Sequence, residues 1–232
     1  MYLSRVRVDL NGLSRTALFD IMSGGAYSAH QLLWQSFPDH DGARPFLFRQ
    51  EMEDSVEQGK SPKGLPLFYV LSDRAPVSIA GLLEVQTKPF SPALRAGERL
   101  AFRLRANPTV ARRVEGVKHS LRSDVLMAAK KPFPPGQRTS SECVDAMDHA
   151  ARDWLASRAE GLGFRLPAQA EVGTYRQHVL QKSGRRDAIQ FSTVDYEGLL
   201  EVIDPGRLVE ALARGIGRAK AFGCGLMLLR RP

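Results

Sequence analysis

Tyr27 and His30 lie three residues apart in Tyr27-Ser28-Ala29-His30-Gln31-Leu32-Leu33-Trp34, the spacing that makes two side chains neighbours on one helix surface. Imidazole moves protons near neutral pH. A phenol beside it can orient a ribose or phosphate, or share the proton work. Ala26, Leu33 and Phe37 mark the core face of this helix and leave His30 at its edge, open to a cleft. The competing reading of such a histidine is a structural or merely solvated side chain.

A second candidate is Gly215-Ile216-Gly217-Arg218-Ala219-Lys220-Ala221-Phe222-Gly223-Cys224-Gly225. Its order, helix then glycines then strand, is the reverse of a dinucleotide-binding fingerprint, and it lacks the Gly-Lys-Ser/Thr of a phosphate-binding P-loop. Gly215, Gly217, Gly223 and Gly225 free the backbone for positive φ and exposed N–H groups. Arg218 and Lys220 between the two glycine pairs point to phosphate as the group approached. The alternative is a tight connection and nothing more.

Other chemistry finds no support. His40, His119, His149 and His178 show no metal-ligand spacing. The two cysteines, Cys143 and Cys224, are far apart; they form no disulfide framework or zinc motif and read as small buried residues. The expectation is an active site without metal or other cofactor. No run of about 18 apolar residues could span a bilayer, and the N-terminus lacks a signal peptide's apolar stretch, so a cytoplasmic protein with no membrane partner is expected.

The elements that must position these residues follow from periodicity. Tyr2–Val8 alternates as a strand. Ser14 caps a short helix through Met22, Ser23-Gly24-Gly25 breaks it, and a second helix runs from Ala26 to Phe37 before Pro38. Strands are expected at 46–48, 67–71 and 82–87, with a polar loop at 54–64. The stretch from Lys88 to Gly97, with two prolines and a glycine, is the linker candidate. Beyond it come a strand at 100–104, a basic loop from Arg112 to Ser141 with little periodicity, and a helix at 142–160 with an apolar stripe of Val144, Met147, Ala151, Trp154 and Leu155. Strands at 172–181 and 188–202 flank the turn Lys182-Ser183-Gly184-Arg185-Arg186-Asp187. Asp204-Pro205 caps a helix ending at Gly215, and Leu226–Leu229 closes the chain as a strand. The second half thus reads strand, helix, strand, strand, helix, strand. That is the ferredoxin-like plan shared with RNA-recognition modules; in the first half the second helix is short or absent. The fold expected is α+β, tandem ferredoxin-like (RRM-like) domains over 1–95 and 96–232.

With 232 residues the chain has room for two such domains. Its net charge is +8, and the excess lies entirely after residue 95. The segment 99–138 is rich in basic and poor in acidic residues. A positive field over one half of the molecule suits a polyanion, and Arg112, Arg113, Lys130 and Lys131 are candidate phosphate contacts. For each, a solvated charge is the alternative.

Several segments together resemble one family, CasE, the CRISPR-associated repeat endoribonuclease of the type I-E Cascade complex. They are the start Met1-Tyr2-Leu3-Ser4-Arg5-Val6; Tyr27-x-x-His30-x-x-x-Trp34 with Phe37-Pro38; Arg44-x-Phe46-Leu47-Phe48-Arg49; Phe102-Arg103-Leu104-Arg105-Ala106-Asn107-Pro108; and the C-terminal glycine loop. The resemblance implies a metal-independent cut at the base of a CRISPR repeat RNA hairpin, with attack by the ribose 2′-hydroxyl leaving a 2′,3′-cyclic phosphate and a 5′-hydroxyl. It implies His30 as general acid or base, Tyr27 as its positioning partner, and the processed RNA (crRNA) and other Cascade subunits as partners. Lys182, Arg185 and Arg186 at a hairpin tip would meet a duplex groove or its phosphates. A non-catalytic RNA-binding subunit of the same fold, or a metal-dependent nuclease, are the competing readings, because fold alone does not settle function.

Overall fold

Alternation of apolar residues builds two antiparallel sheets. The computed structural model describes residues 1–9, 25–38, 42, 44–52, 65–112, 121–180 and 188–232, with the backbone alone for 25–27, 112 and 121. These residues form two compact units: Met1–Pro92 with Lys220–Leu226, and Ala93–Ala219 with Met227–Pro232.

In the first unit, β1 (Tyr2–Val8), β2 (Phe46–Met52), β3 (Pro66–Ser72) and β4 (Leu83–Pro89) form a sheet in the order β2-β3-β1-β4. Strand β1 pairs antiparallel with both β3 and β4, setting Val6 opposite Phe68 and Val85. Helix α1 (Gly25–Trp34) supplies Ala29, Leu32 and Leu33 to a core shared with Val6, Val8, Phe46, Phe48, Phe68 and Val70. The α-helix stops at Trp34, before the expected Phe37. Its last turn tightens into i→i+3 bonds, Ser36 N to Leu33 O (3.1 Å) and Phe37 N to Trp34 O (3.0 Å), which satisfy carbonyls that an α-helical end leaves open. Phe37 still reaches the core, 2% exposed and stacked on Phe46 at 5.0 Å. The expected helix from Ser14 and the loop 54–64 lie outside the described residues.

In the second unit, β5 (Arg99–Ala106) buries Leu100, Phe102, Leu104 and Ala106 on one face. The sheet runs β11-β5-β10-β8, with β8 (Phe164–Arg165), β9 (Glu171–Leu180) paired to β10 (Ile189–Val202), and β11 (Met227–Arg230). Helix α3 (Ser141–Ala159) packs on β10 through Tyr196, which donates to Ala151 O (3.1 Å) beneath the Trp154 ring. Helix α4 (Pro205–Arg214) starts where expected: the Asp204 side chain accepts from Arg207 N at 3.0 Å, and Gly215 follows the last turn at φ 76°.

Two expectations need correction. The stretch from Arg112 to Ser141 is not a loop throughout. It contains the end of a ribbon formed by β6 (Thr109–Arg112) and β7 (Leu121–Asp124), helix α2 (Val125–Lys130) and a 3₁₀ turn at Pro135–Gln137. Asp124 caps α2 by accepting from Leu126 N and Met127 N, while Val125 and Leu126 are buried. Six residues are too short for a periodic stripe, so the cap was the available signal. On α3, Val144 is 47% exposed and Cys143 is buried in its place, with Ala151, Trp154, Leu155 and Ala159 completing the inner face. Among the described residues no helix is long and apolar enough to cross a membrane.

Candidate active site

His30 occupies α1 with its ring against three aromatic side chains. The centroids lie 5.9 Å from Trp34, 5.7 Å from Phe46 and 6.3 Å from Phe48. Trp34 stands one helical turn on, the i,i+4 position that faces His30, and its indole N–H donates to His30 Nε2 at 3.0 Å. An accepting Nε2 is unprotonated, so the ring proton belongs on Nδ1. Burial lowers the His30 pKa to about 4, and the positive charge of Arg44 pushes in the same direction. The imidazole is therefore neutral at pH 7, with its Nε2 lone pair held in a fixed direction.

Arg44 precedes β2, the strand that carries Phe46 and Phe48. It is half-buried, its own pKa is lowered by burial, and its Nε finds no hydrogen-bond partner among the described residues. A cation kept partly out of water beside a neutral base suits an anionic ligand. Neither Trp34 nor Arg44 was singled out for chemistry by the sequence alone. The readable signal for Trp34 was its i,i+4 spacing from His30.

The glycine loop joins this site. The 3₁₀ turn Lys220–Phe222 packs on α1 and β2, and Lys220–Leu226 belongs with the first unit, whereas a division at residue 95 puts it in the second. Close approach explains the glycine at 223: its φ is +78°, and a Cβ there would lie 3.2 Å from Phe48 Cε2. Gly225 also has positive φ. In the second unit, Gly215 and Gly217 have positive φ, and a Cβ on Gly217 would meet Trp154 at 3.2 Å. Arg218 is exposed and Lys220 half-buried.

The remaining expected residues distribute as follows. Tyr27 lies on α1 one turn before His30, but its side chain is outside the described residues, as are Arg113, Lys182, Arg185 and Arg186 entirely; Arg112 is described only in backbone, at the end of β6. Lys130 closes α2 and Lys131 follows it. His149 is exposed and pairs with Asp153 at 3.2 Å, while His40 and His119 are not described. Cys143 and Cys224 are free and buried. Among the described residues no three His, Cys, Asp or Glu side chains converge as metal ligands.

One face of the second sheet is committed to itself. Cross-strand neighbours Arg103–Glu197 (2.8 Å), Arg105–Asp195 (2.8 Å, two bonds) and Arg99–Glu201 (3.7 Å) pair between β5 and β10, and Arg165 joins Glu201 at 2.6 Å. Such ladders stabilise a sheet modestly.

A family model described as CRISPR associated protein matches residues 1–231. The chain is 31% identical to the CRISPR system Cascade subunit CasE of Escherichia coli, over 94% of this chain and 98% of that protein. It is 35% identical to the CRISPR-associated endoribonuclease Cse3 of Thermus thermophilus, over 94% of this chain and 95% of that one. A solved structure of the CRISPR endoribonuclease Cse3 bound to a 19-nucleotide RNA superposes with a TM-score of 0.67 at 28% identity, covering 99% of this chain and all of that one.

Proposed function

We propose that this chain, which belongs to the CRISPR-associated protein family represented by CasE and Cse3, is the endoribonuclease that processes CRISPR repeat RNA, acting with RNA and other Cascade subunits as partners in the cytoplasm. The relatives' names and the RNA-bound structure support the activity. The observation that carries the chemistry is the neutral His30 ring with its Nε2 lone pair held by Trp34.

In the reaction, the 2′-oxygen attacks the adjacent phosphorus, the bond from phosphorus to the 5′-oxygen breaks, and the products are a 2′,3′-cyclic phosphate and a 5′-hydroxyl. No water is consumed. One proton must leave the 2′-hydroxyl and one must reach the 5′-oxygen. His30 arrives as a base. The substrate hydroxyl replaces the Trp34 N–H at Nε2, the imidazole takes its proton, and the imidazolium so formed returns a proton to the leaving oxygen. Tyr27 positions the ribose or phosphate from the preceding turn. Arg44 and the loop bearing Lys220, Gly223 and Gly225 hold the phosphate, where positive charge offsets the charge that builds on its oxygens.

For the fold, we read the strand orders β2-β3-β1-β4 and β11-β5-β10-β8 as tandem ferredoxin-like domains, 1–95 and 96–232, with residues 220–226 returning to the first. The order supports this: in each sheet the first and third strands are central neighbours. The RNA surface includes Arg218, Gly215 and Gly217, Arg112 at the end of β6 and Arg113 after it in sequence, and Lys182, Arg185 and Arg186 in the segment between β9 and β10. Strand β9 is largely exposed on both faces, as suits a ribbon that projects toward a duplex.

The test is to incubate the purified protein with its own repeat hairpin in EDTA and map the product ends. A single cut leaving a 2′,3′-cyclic phosphate and a 5′-hydroxyl is expected. Cleavage that stops in EDTA while the hairpin stays folded would favour metal-dependent chemistry, and binding without cleavage would favour an RNA-binding subunit.

A further inference from the structure

The second unit contains a cleft of about 480 Å³ between the β6–β7 ribbon, α2 and the β9–β10 ribbon. Strand register decides which side chains enter it. Ser192 stands opposite Gln177, and Gln190 opposite Val179. Residues paired across antiparallel strands share a face, and these four line the cleft together with Tyr175. His178 and Phe191, one residue along, pair on the other face of the ribbon. On the facing ribbon Thr109 stands opposite Asp124 and Ala111 opposite Arg122, so Arg122 and Asp124, two residues apart, turn the same way. The floor is fixed. The Asp124 carboxylate accepts from Leu126 N (2.8 Å), Met127 N (2.9 Å), the Ser192 hydroxyl and the Tyr175 hydroxyl. Those four donors offset its charge and lock the two walls together.

Above that floor stand two cations and two amides. Arg122 and Arg218 are exposed. Neither makes an ion pair among the described residues, in a unit where Arg103, Arg105 and Arg165 all do. The chain around Arg218 is shaped to present it. Gly217 before it has φ 80° and Ala219 after it φ 54°, a conformation that residues with a Cβ rarely adopt. A Cβ on Gly217 would meet the Trp154 ring at 3.2 Å, and the Trp154 indole donates to Thr109 O at 3.0 Å, so one ring seats the loop and holds the start of β6. Gln177 Nε2 donates to Met127 Sδ (3.0 Å) and Tyr175 Oη (3.2 Å). Its N–H bonds are committed, which leaves its carbonyl oxygen, a pure acceptor, to the cleft. Gln190 is exposed and brings two further N–H donors. Two cations and a free acceptor in one polar groove match a chain that carries phosphates and donates hydroxyls, as RNA does and DNA does not.

We propose that this cleft is a backbone subsite for the substrate RNA, in which Arg122 and Arg218 hold phosphate and Gln177 Oε1 accepts from the 2′-hydroxyl of a ribose other than the attacked one. The contact tells ribose from deoxyribose without reading a base. The proposal rests on the RNA-processing reading above and adds a sequence-independent grip on the strand, made by the second unit.

The test uses the full chain and fluorescence anisotropy with its repeat hairpin, made uncleavable by a 2′-deoxy sugar at the mapped cleavage site, and a series of copies each lacking one further 2′-hydroxyl. One of those copies is expected to bind about two- to tenfold more weakly, the weight of one neutral hydrogen bond. Gln177→Leu is expected to bind that copy and the starting hairpin equally, with the affinity the unaltered protein has for the copy, which also shows that the variant is folded. Arg122→Ala and Arg218→Ala are each expected to flatten the slope of log K against log salt by about 0.7–0.9, one phosphate contact apiece, with the deoxy pattern retained. Phe191→Ala, on the other face of the ribbon, is expected to keep both the pattern and the slope. A series with no position that depends on Gln177, or salt slopes unchanged in both arginine variants, would overturn the proposal. So would loss of the pattern in Phe191→Ala, since the shape of the ribbon and not the cleft would then carry it. Displacement of the hairpin by an equal concentration of a nucleoside monophosphate would assign the cleft to a soluble nucleotide instead. If the unmodified hairpin is bound and cut but no position depends on Gln177, this subsite alone fails; if the hairpin is neither bound nor cut, the processing function itself fails.

Discussion

His30 and His178 invite comparison because their surroundings look alike. Both rings are half-buried, both lie against phenylalanine, both have lowered pKa values from burial first and arginine charge second. They differ in what holds the ring nitrogen and what else converges. Nε2 of His30 accepts from an indole N–H, a donor that cannot accept in return, so the lone pair is preserved and aimed. Nε2 of His178 meets the Thr193 hydroxyl at 3.0 Å, which can act as either donor or acceptor, and its ring is spent on stacking. A lowered pKa and aromatic company therefore do not mark a catalytic histidine. On the proposed reading, a fixed lone pair and a glycine loop packed on the same helix set His30 apart.

Substitutions can break this comparison. The largest effect is expected from His30→Ala, which should slow single-turnover cleavage by on the order of 10²–10⁴ while RNA binding is retained. His178→Ala at saturating enzyme should stay within about threefold of the parent. A loss at His178 matching that at His30 would erase the distinction.

The pH dependence sharpens it. If neutral His30 is the proposed base, its pKa of about 4 sets the profile: kcat/KM should be level from about pH 5 to 8 and fall as pH drops toward 4. Bound phosphate favours imidazolium, so the acid limb of kcat should sit at higher pH than that of kcat/KM. Stability carries the same sign. Between pH 6.5 and 4 the unfolded chain binds the proton more readily than the folded one, so this histidine's contribution weakens as pH falls through that window. Arg44→Met should raise the His30 pKa, followed by NMR titration of the ring, since a charge opposing protonation is gone; an unmoved pKa would detach Arg44 from the site.

Trp34→Phe is expected to have a smaller effect, about two- to tenfold in rate, the weight of one neutral hydrogen bond. It should also raise the His30 pKa, because the lost donor stabilised only the neutral ring, and it should release the Nδ1–H tautomer seen by nitrogen NMR. Unchanged tautomer populations would mean that Trp34 merely packs. Gly223→Ala, with Cβ forced against Phe48 at φ +78°, should cost about 1–2 kcal/mol of stability, measured by denaturant unfolding.

The same contrast shows where the sequence is informative. Period-two strands such as Tyr2–Val8 and 100–104, the Asp204-Pro205 cap and the glycine stop at 215 are local signals, and each produced its element. His30 was legible as a residue type on a helix edge. Its partners were less so: Arg44 stands just before β2, and the Lys220–Leu226 loop comes from nearly two hundred residues away. Those contacts depend on sheet register and on a glycine's lack of Cβ, which no local window reports. The cleft around Asp124 was invisible for a related reason. Its walls come from β6, β7, β9 and β10, and α2 behind Asp124 was too short to announce itself.

The central claim is that the nucleophile belongs to the RNA and that the protein supplies only proton transfer and charge. It is tested most directly by giving the protein, in EDTA, its repeat hairpin and a copy lacking the single 2′-hydroxyl at the mapped cleavage site. The expected result is that both RNAs bind with similar affinity and only the ribose form is cut. Cleavage of the deoxy copy at the same phosphate would contradict the account, because the attacking oxygen would then have to come from elsewhere.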